Sequence, residues 1–352
     1  MTTVKVEVSG SYCVDIGAGL LEELGVRALE VAKGTAAVIV SDDTVNALYG
    51  DRAETALVRS GFSVCRFVFP HGEASKNGTT YLNLLQFLAE HSITRSDLLV
   101  ALGGGVTGDL TGFAAATFLR GIRFVQVPTT LLAAVDSSVG GKTGIDLPAG
   151  KNLAGAFYQP KRVVCDYETL RTLPPDIFAD GCAEVIKYSI LGSPELYDHL
   201  LEKGADFDTE AVIAQCVAMK RDVVRDDEFD TGRRQLLNLG HTIAHGIEAC
   251  SHYEISHGRA VAMGMAIIAR AAARKGYCTA ECAEAIERVI RRFGLPVETE
   301  YSAAALTQWA LSDKKRAGNR ITLVVPRKIG HCDLVKIPVS ELQDWMEAGL
   351  PL

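Results

Sequence analysis

The chain has 352 residues, which on the usual scale of about 150 residues per domain is enough for two domains with hydrophobic cores. Its 36 lysines and arginines stand against 43 aspartates and glutamates, a net charge of −7 without a basic run, which excludes the electrostatic surface of a nucleic-acid-binding protein. Nine scattered cysteines without a Cys-x-x-Cys pair exclude a disulfide framework and predict a reducing, cytoplasmic location. The first ten residues lack the pattern of a signal peptide, and Arg270 interrupts the most apolar stretch, so we expect no membrane span.

The first half of the chain alternates short β-branched runs with helical stretches. Strands are predicted at residues 38–40, 64–68, 98–102, 124–127 and 163–165. This alternation predicts an α/β domain with a mostly parallel sheet covered by helices. The turn residues Pro174 and Pro175 then mark a boundary, so the first domain is predicted to span residues 1–172.

The second half, residues 173–352, has a different pattern. Residues 209–225 and 258–275 are rich in Ala and apolar residues at helical spacing, and they predict long helices. A late apolar run at residues 320–325 predicts an isolated strand or hairpin. The expected architecture is therefore an α/β domain followed by an all-α or mostly α-helical domain.

A glycine-rich turn follows the strand predicted at residues 98–102. Residues 103–108 satisfy the pattern Gly-x-Gly-x-x-Gly and lead into a helix predicted to begin near Leu110. Such glycines let the backbone approach a pyrophosphate closely, and helix N–H groups bind it. The acid that a Rossmann unit carries about 20 residues later is missing, because position 123 is Arg. A dinucleotide site outside the usual Rossmann register and an ordinary tight turn therefore both remain open.

Residues 128–144 combine hydroxyls, glycines, one acid and one lysine without amphipathic periodicity. A structureless loop of this length is unusual inside a compact domain, so a ligand-lining role is favoured over a solvated loop. Lys151 and Asn152 follow a Pro-Ala-Gly turn and bring a cation and an amide donor close together in sequence. That combination suits a phosphate.

Candidate metal ligands lie in the second half of the chain. Glu184 and Lys187 share one face of a predicted helix, a spacing that an ordinary surface ion pair also explains. His241 and His245 are four residues apart, and His257 begins the next apolar helix. Each histidine alone is typical of a buried structural residue, but with a carboxylate from another helix the cluster could bind Zn²⁺. The absence of His-Glu-x-x-His argues against a metalloprotease.

Together these motifs resemble the 3-dehydroquinate synthase family over nearly the whole chain. The resemblance rests on residues 71–76, 103–109, 128–142, 183–187, 234–245, 257–258 and 313–315. It implies an NAD-binding α/β domain followed by an α-helical metal- and substrate-binding domain. It also implies a homodimer and a divalent metal, usually zinc, with cobalt as a second choice.

The resemblance assigns several residues to NAD. It implies that Asp42, Glu73 and Lys76 contact the adenosine end. Gly104, Gly105 and Asp109 would lie near the pyrophosphate and the nicotinamide ribose. Further cofactor contacts are implied for Thr129, Thr130, Asp136, Lys142 and Lys151.

The resemblance likewise assigns the metal and substrate residues. The implied metal ligands are Glu184, His241 and His257. The implied substrate-binding residues are Arg120, Asp136, Lys142, Lys151, Asn152, Lys187, Lys220, Arg234, Asn238, His245, His257 and one lysine of Lys314-Lys315, with Lys314 preferred. Of these, Lys142, Lys187, Lys220, Arg234, Asn238 and His245 are expected to take part in catalysis, and Arg120 to reach the phosphate site of the partner subunit.

The implied reaction converts 3-deoxy-D-arabino-heptulosonate 7-phosphate to 3-dehydroquinate and phosphate. Transient oxidation of a ring carbinol by NAD acidifies the neighbouring C–H and allows phosphate to leave by β-elimination. Re-reduction, ring opening and an intramolecular aldol step follow, so NAD is regenerated in each turnover. The enzyme class implied is a carbon–oxygen lyase.

Three alternatives remain. Another sugar-phosphate cyclase would have the same fold, although such relatives typically alter the segment at residues 137–142, which is intact here. A metal-dependent polyol dehydrogenase would release NADH. A catalytically inactive structural relative would be expected to have lost the Lys, His and Asn positions that this chain keeps.

The chain departs from the family pattern at a few positions. Arg259 replaces the usual Glu two residues after a predicted metal ligand, while Ser189 and Ala244 replace common glycines. The Arg259 side chain is expected either to weaken metal binding, because the usual Glu would support the site, or to point to solvent or pair with an acid such as Glu254.

Overall fold

The computed structural model of the chain describes residues 1–314 and 319–351, without the side chains of residues 310–314. It divides into two compact units. The first comprises Met1–Leu173 and Thr209–Phe229, and the second comprises Pro174–Asp208 and the residues from Asp230 onward. All nine cysteines are free thiols, as their scatter predicts.

The first unit is built on a seven-stranded sheet. Its strands and a separate hairpin are β1 (Thr2–Val6), β2 (Tyr12–Gly17), β3 (Ala36–Asp42), β4 (Ser63–Phe69), β5 (Leu98–Gly103), β6 (Arg123–Pro128), β7 (Lys142–Leu147), β8 (Gly150–Phe157) and β9 (Arg162–Asp166). The sheet order is β1-β2-β9-β6-β5-β3-β4, and β7 pairs with β8. Every neighbouring pair in the sheet is parallel except β1 with β2. The predicted mostly parallel sheet is confirmed.

Helices cover both faces of this sheet. They are α1 (Leu24–Leu29), α2 (Asp43–Val45), α3 (Asp51–Arg59), α4 (Gly78–Glu90) and α5 (Gly105–Thr117), with π-helical turns at Asn46–Gly50 and Ala133–Ser137 and 3-10 turns at Glu73–Ser75, Phe118–Arg120 and Tyr167–Thr172. Strand β5 shows why the sheet lies inside: Leu98, Val100 and Leu102 pack into one hydrophobic core, and Leu99 packs into the other. Successive side chains of a strand point to opposite faces, so a continuous apolar run is buried on both sides.

The second unit is mostly helical. Its elements are α6 (Pro175–Gly192), α7 (Pro194–Lys203), α9 (His241–Cys250), α10 (His257–Arg274), α11 (Ala280–Arg292), α12 (Ala303–Lys314), β10 (Arg320–Lys328), β11 (His331–Pro338) and α13 (Leu342–Gly349), with 3-10 turns at Gly204–Asp206, Arg233–Asn238 and Val339–Glu341. Strands β10 and β11 form the hairpin that the run at residues 320–325 predicts. The unit is therefore helical apart from this hairpin.

The remaining helix, α8 (Thr209–Asp226), belongs to the first unit although it lies between helices of the second in sequence. It packs against β1, β2 and the turn Ala133–Ser137, burying Val212 and Val217. The sequence-based division at residue 172 placed this segment with the second domain. Helical periodicity identifies an apolar face but does not record which element covers that face, so the pattern could not assign α8 to a unit.

Residues 128–144 do not form the solvated loop that was the alternative to a ligand-lining segment. They comprise the end of β6, the π-helical turn Ala133–Ser137 and the start of β7. Within the described residues, no helix combines the length and the apolar composition needed to span a bilayer.

Candidate active site

Residues predicted to bind NAD lie along the carboxyl edge of the sheet in the first unit. Asp42 ends β3 and caps α2, accepting a hydrogen bond of 2.9 Å from the Val45 N–H. Gly104 precedes α5 directly after β5, and the Thr129 N–H, after β6, donates to Gly103 O at 3.0 Å. Strands β3 and β5 are neighbours at the point where the chain reverses its direction across the sheet. In open α/β sheets such a switch point forms a crevice that binds ligands.

Lys76 binds two residues, Asp109 and Asn152, to which the family resemblance assigned other roles. The Lys76 side chain is only 6% exposed, and its Nζ donates to Asp109 Oδ2 and Asn152 Oδ1, both at 2.6 Å. Burial disfavours its ammonium form, but Asp109 and Glu73 outweigh burial and raise the pKa of Lys76. Nearby, Lys151 Nζ lies 3.8 Å from Glu73 Oε1. These five residues therefore form one polar cluster in the first unit.

A second cluster of the first unit contains Lys220 and Asp136. Lys220 Nζ donates to the backbone oxygen of Asp136 at 2.8 Å and forms an ion pair with its carboxylate. This contact requires α8 to pack on the turn Ala133–Ser137, as described above. Thr130 Oγ1 supports the same turn by accepting from the Ala133 N–H at 3.2 Å. Lys142 lies exposed at the start of β7.

Arg120 lies exposed at the end of the 3-10 turn Phe118–Arg120. Its φ is +65°, and the preceding Leu119 has φ +50°, so two successive residues adopt the left-handed conformation that non-glycine residues rarely use. Strain of this kind persists only where the surrounding structure imposes it. The structure thus places Arg120 on a sharply turned, exposed segment.

In the second unit, α6, α9 and α10 bring the predicted metal ligands together. His241 is the first residue of α9, His257 is the first residue of α10, and Glu184 lies in the middle of α6. Two glycines allow the close approach. A Cβ at Gly258 would lie 2.0 Å from Asp180 O on α6, and a Cβ at Gly240, whose φ is +79°, would lie 2.8 Å from Val261 O on α10. Larger residues at these positions would force the helix ends apart.

The ligand atoms of Glu184, His241 and His257 lie within 4.8 Å of one another. Glu184 Oε1 is 3.5 Å from His241 Nε2 and 3.4 Å from His257 Nε2. A tetrahedral metal with bonds of about 2.0–2.1 Å holds its ligand atoms about 3.3–3.4 Å apart. The donor set and its spacing therefore fit Zn²⁺ or a similar ion. Among the described residues, no other group of three His, Cys, Asp or Glu side chains meets this spacing.

Glu184 and Lys187 are buried, so the alternative of an ordinary surface ion pair is wrong. Each is 1% exposed, and Lys187 Nζ forms an ion pair with Glu184 Oε2 while Oε1 faces the histidines. Burial lowers the pKa of His241 to about 3, with Glu184 opposing that shift. A histidine kept neutral in this way offers a nitrogen lone pair to a metal.

The sequence analysis missed two acids that support this cluster. Asp180 Oδ1 accepts from Ser256 Oγ at 2.5 Å and from the Arg259 backbone N–H at 2.9 Å, so it anchors the start of α10. Glu248, on α9, lies with its Oε1 3.3 Å from His257 Nδ1. Glu248 follows His241 by seven residues, which is two helical turns. That spacing was a usable signal, because it places both residues on one face of α9.

The Arg259 side chain is exposed, whereas the Arg259 backbone N–H donates a hydrogen bond to Asp180. Its environment therefore favours the solvent-facing alternative. Ser189 and Ala244 are both buried, and the Ser189 hydroxyl donates to Ile186 O at 2.7 Å within α6. These two replacements fit within the packed helices.

The other predicted substrate residues of the second unit differ in exposure. Arg234 is buried, whereas Asn238 and His245 are exposed. Asn238 lines a pocket of about 520 Å³ together with Thr242, Arg320 and Lys336, of which the two cations were not predicted. Lys314 ends α12, its side chain lies outside the described part of the chain, and Lys315 lies outside the described residues altogether.

Solved structures with a similar fold come first. A solved structure of 2-deoxy-scyllo-inosose synthase, complexed with carbaglucose-6-phosphate, NAD⁺ and Co²⁺, superposes with a TM-score of 0.88 at 24% identity, covering 99% of this chain and 100% of that chain. ValA, a 2-epi-5-epi-valiolone synthase from Streptomyces hygroscopicus subsp. jinggangensis 5008 with NAD⁺ and Zn²⁺ bound, gives 0.87 at 25% identity, with coverages of 99% and 98%. The chain therefore has the fold of these cyclases.

The sequence comparisons then identify the family. The 3-dehydroquinate synthase N-terminal family matches residues 66–180, and the 3-dehydroquinate synthase C-terminal family matches residues 181–316. The 3-dehydroquinate synthase of Clostridium acetobutylicum is 41% identical, and the alignment covers 98% of this chain and 99% of that protein. The chain belongs to the 3-dehydroquinate synthase family, as its motifs predict, and is an enzyme of the lyase type.

Proposed function

We propose that the chain converts 3-deoxy-D-arabino-heptulosonate 7-phosphate to 3-dehydroquinate and phosphate. The observation that carries this proposal is the spacing of Glu184, His241 and His257, which fits a divalent metal, in a chain of this family. The identity of 41% to a 3-dehydroquinate synthase, against 24–25% to the two cyclase structures, favours this activity over another sugar-phosphate cyclase or a polyol dehydrogenase. The inactive relative is disfavoured because the Lys, His and Asn positions are kept and because Glu184, His241 and His257 lie together.

The proposed reaction has no net redox change. A ring carbinol of the substrate is oxidised, which makes the neighbouring C–H acidic and lets phosphate leave with the electron pair of the broken C–O bond. The carbonyl is then reduced again, the ring opens, and an intramolecular aldol closes the carbocycle. When bound, NAD supplies the hydride acceptor and donor, and Zn²⁺, or Co²⁺ in its place, supplies a Lewis acid.

The chain's own residues bind and orient the substrate in this proposal. Lys142, Lys151 and Asn152 supply the cations and the amide that suit a phosphate, and Arg234 supplies a guanidinium that suits a carboxylate. The ion pair of Lys76 with Asp109 supports the arrangement, because Lys76 also binds Asn152 Oδ1 and so leaves the Asn152 Nδ2 hydrogens for a ligand.

Residues of the second unit act on protons and on the reacting hydroxyls. Lys187 keeps an ammonium beside Glu184 Oε2, where it stabilises negative charge on substrate oxygens. His245 is exposed on the same helix as His241, and a ring nitrogen of His245 moves a proton during elimination or ring opening. Asn238 donates its amide hydrogens to the substrate. In the first unit, Lys220 holds Asp136 in place.

The NAD site is proposed at the carboxyl edge of the sheet in the first unit. Asp42, Glu73, Gly104, Gly105, Thr129 and Thr130 contribute to it together with the cluster around Lys76. Support comes from the switch point between β3 and β5 and from the start of α5, whose N–H groups attract a pyrophosphate. We also propose a cytoplasmic homodimer in which Arg120 reaches the partner's phosphate site, and equilibrium sedimentation measures that association directly.

The experiment that tests the activity supplies purified protein with 3-deoxy-D-arabino-heptulosonate 7-phosphate, NAD⁺ and Zn²⁺. Phosphate release, dehydroquinate mass and absorbance at the NADH wavelength are followed together. We expect phosphate and product in equal amounts and no accumulation of NADH, because the transient oxidation is reversed within each turnover. Continued NADH formation would instead identify a dehydrogenase, and phosphate release with a different carbocycle would identify another cyclase.

A further inference from the structure

We propose that Glu248 is a positioning residue that fixes the orientation of the His257 imidazole for metal binding. The inference rests on the proposed metal site and adds to it a residue for which the sequence motifs implied no role. It concerns a contact on the side of the imidazole that faces away from Glu184.

The imidazole ring of His257 lies between two carboxylates. Its Nε2 lies 3.4 Å from Glu184 Oε1, and its Nδ1 lies 3.3 Å from Glu248 Oε1. The two nitrogens of the imidazole ring therefore face two different carboxylates. If Nδ1 carries a hydrogen and donates to Glu248, then Nε2 presents its lone pair toward Glu184 and His241. Metal-binding histidines commonly have their other nitrogen held in this way by a carboxylate.

Glu248 is a buried acid. Its side chain is 2% exposed, and removing an ionised carboxylate from water is costly unless hydrogen bonds and opposite charge compensate. A metal dication bound by Glu184, His241 and His257 would bring two positive charges near the carboxylates of Glu184 and Glu248. A divalent ion there would add positive charge close to Glu248 through His257, and so favour an ionised Glu248 carboxylate.

His241, the other predicted histidine ligand, has a different acceptor at its Nδ1. His241 Nδ1 lies 3.1 Å from Leu239 O, a neutral backbone acceptor two residues away in sequence. Each histidine thus presents Nε2 to Glu184 Oε1 and Nδ1 to an acceptor of its own, and a carboxylate is the acceptor at His257. A carboxylate acceptor raises the basicity of the imidazole more than a backbone oxygen does, so His257 is the ligand whose metal bond Glu248 strengthens.

Arg259 does not take this position. The acid nearest to the backbone of Arg259 is Asp180, and Arg259 itself is exposed. Asp180 holds the start of α10 through Ser256 Oγ and the Arg259 N–H, whereas Glu248 holds the imidazole. Asp180 therefore positions the backbone near His257, and Glu248 orients the His257 side chain.

The test compares zinc affinity of the full-length protein and its variants by competitive titration against a chelator, together with the visible spectrum of the Co²⁺ form. Glu248→Gln keeps the shape of the side chain but removes its charge, and we expect zinc affinity to fall by about 10- to 100-fold, the usual range for such supporting contacts. The matched control is Glu254→Gln, which changes an exposed acid in the segment between α9 and α10. It should leave zinc affinity unchanged. The Co²⁺ spectrum should shift only in the Glu248 variant, because the ligand orientation changes.

Glu248→Asp is a second variant in case the first fails to fold. It retains the charge but is shorter by one methylene, so we expect weaker zinc binding with circular dichroism like that of the wild type. An unchanged affinity and Co²⁺ spectrum in the Glu248 variants would overturn the inference alone. A wild-type chain that binds no divalent metal would overturn both the inference and the proposed metal site.

Discussion

Two buried carboxylates, one in each unit, have contrasting partners. Asp15 on β2 accepts hydrogen bonds from Arg27 Nη1 at 2.8 Å, from Arg162 Nε at 2.5 Å and from Thr3 Oγ1 at 2.8 Å. Glu184 on α6 pairs with Lys187 and faces two histidines. Both acids are 1% exposed. Burial alone therefore does not distinguish a structural acid from a candidate metal ligand.

The partners make the distinction. Two arginines stay protonated at every ordinary pH, so the charge of Asp15 is compensated permanently within the first unit. The histidines beside Glu184 can be neutral, and neutral imidazoles have lone pairs that a metal can accept. A buried acid that faces bases able to give up their proton is therefore the better candidate for a functional site, and the following predictions test that difference.

The largest effect is expected for His241→Ala. Removing one of three protein ligands leaves a poor metal site, so bound metal and turnover should both be lost while the protein remains folded. Metal content by elemental analysis and phosphate release measure the two losses. Asp15→Asn serves as the control and should keep its metal. A His241→Ala protein that retains one equivalent of metal would show that the triad is wrongly assigned.

The next effect is a loss of stability in Asp15→Asn. Two guanidinium groups, of Arg27 and Arg162, would remain beside a neutral amide, and breaking a buried ion pair costs about 3–5 kcal/mol. Denaturant unfolding should show this loss, while turnover per folded molecule stays unchanged. Glu22→Gln, which removes an exposed pair with Arg52, should cost about 1 kcal/mol or less. Equal losses in the two variants would show that the Asp15 cluster is no more important than a surface pair.

The stability lost in Asp15→Asn is expected to depend on pH. Burial opposes ionisation of Asp15, but hydrogen bonds from Arg162 and Thr3 and the charge of Arg27 outweigh burial and lower its pKa. A carboxyl group whose pKa falls on folding contributes stability above its unfolded pKa of about 3.9, and this contribution disappears as the pH falls through the folded value. The stability difference between wild type and Asp15→Asn should therefore be complete near neutral pH and shrink below about pH 4. A difference that stays constant in acid would contradict the assignment.

The smallest effect is expected for Arg259→Glu. The side chain is exposed, and Asp180 binds the backbone N–H, which the substitution retains. Zinc affinity should be unchanged, and stability should rise by only about 0.3–1 kcal/mol because an acid suits the first turn of a helix. Competitive zinc titration and thermal unfolding measure the two quantities. Tighter zinc binding in the variant would instead show that the position supports the metal directly.

The sequence alone determined the fold class, the family and the candidate residues. Apolar runs such as Leu98–Gly103 predict buried parallel strands because each run must be covered on both faces. The motifs containing Glu184, His241 and His257 identified the family correctly, and the structure brings these three predicted ligands together. Local spacing carries this information, because residues that share a face of one helix or strand are close in sequence.

Only the tertiary structure decided which elements are neighbours. It placed α8 with the first unit, joined Lys76 to Asp109 and Asn152, and buried the pair of Glu184 and Lys187. It also brought Glu248 to His257 across the turn between α9 and α10. Periodicity reports that a face is covered but not by what, so contacts between separate elements follow from the packing of side chains in three dimensions.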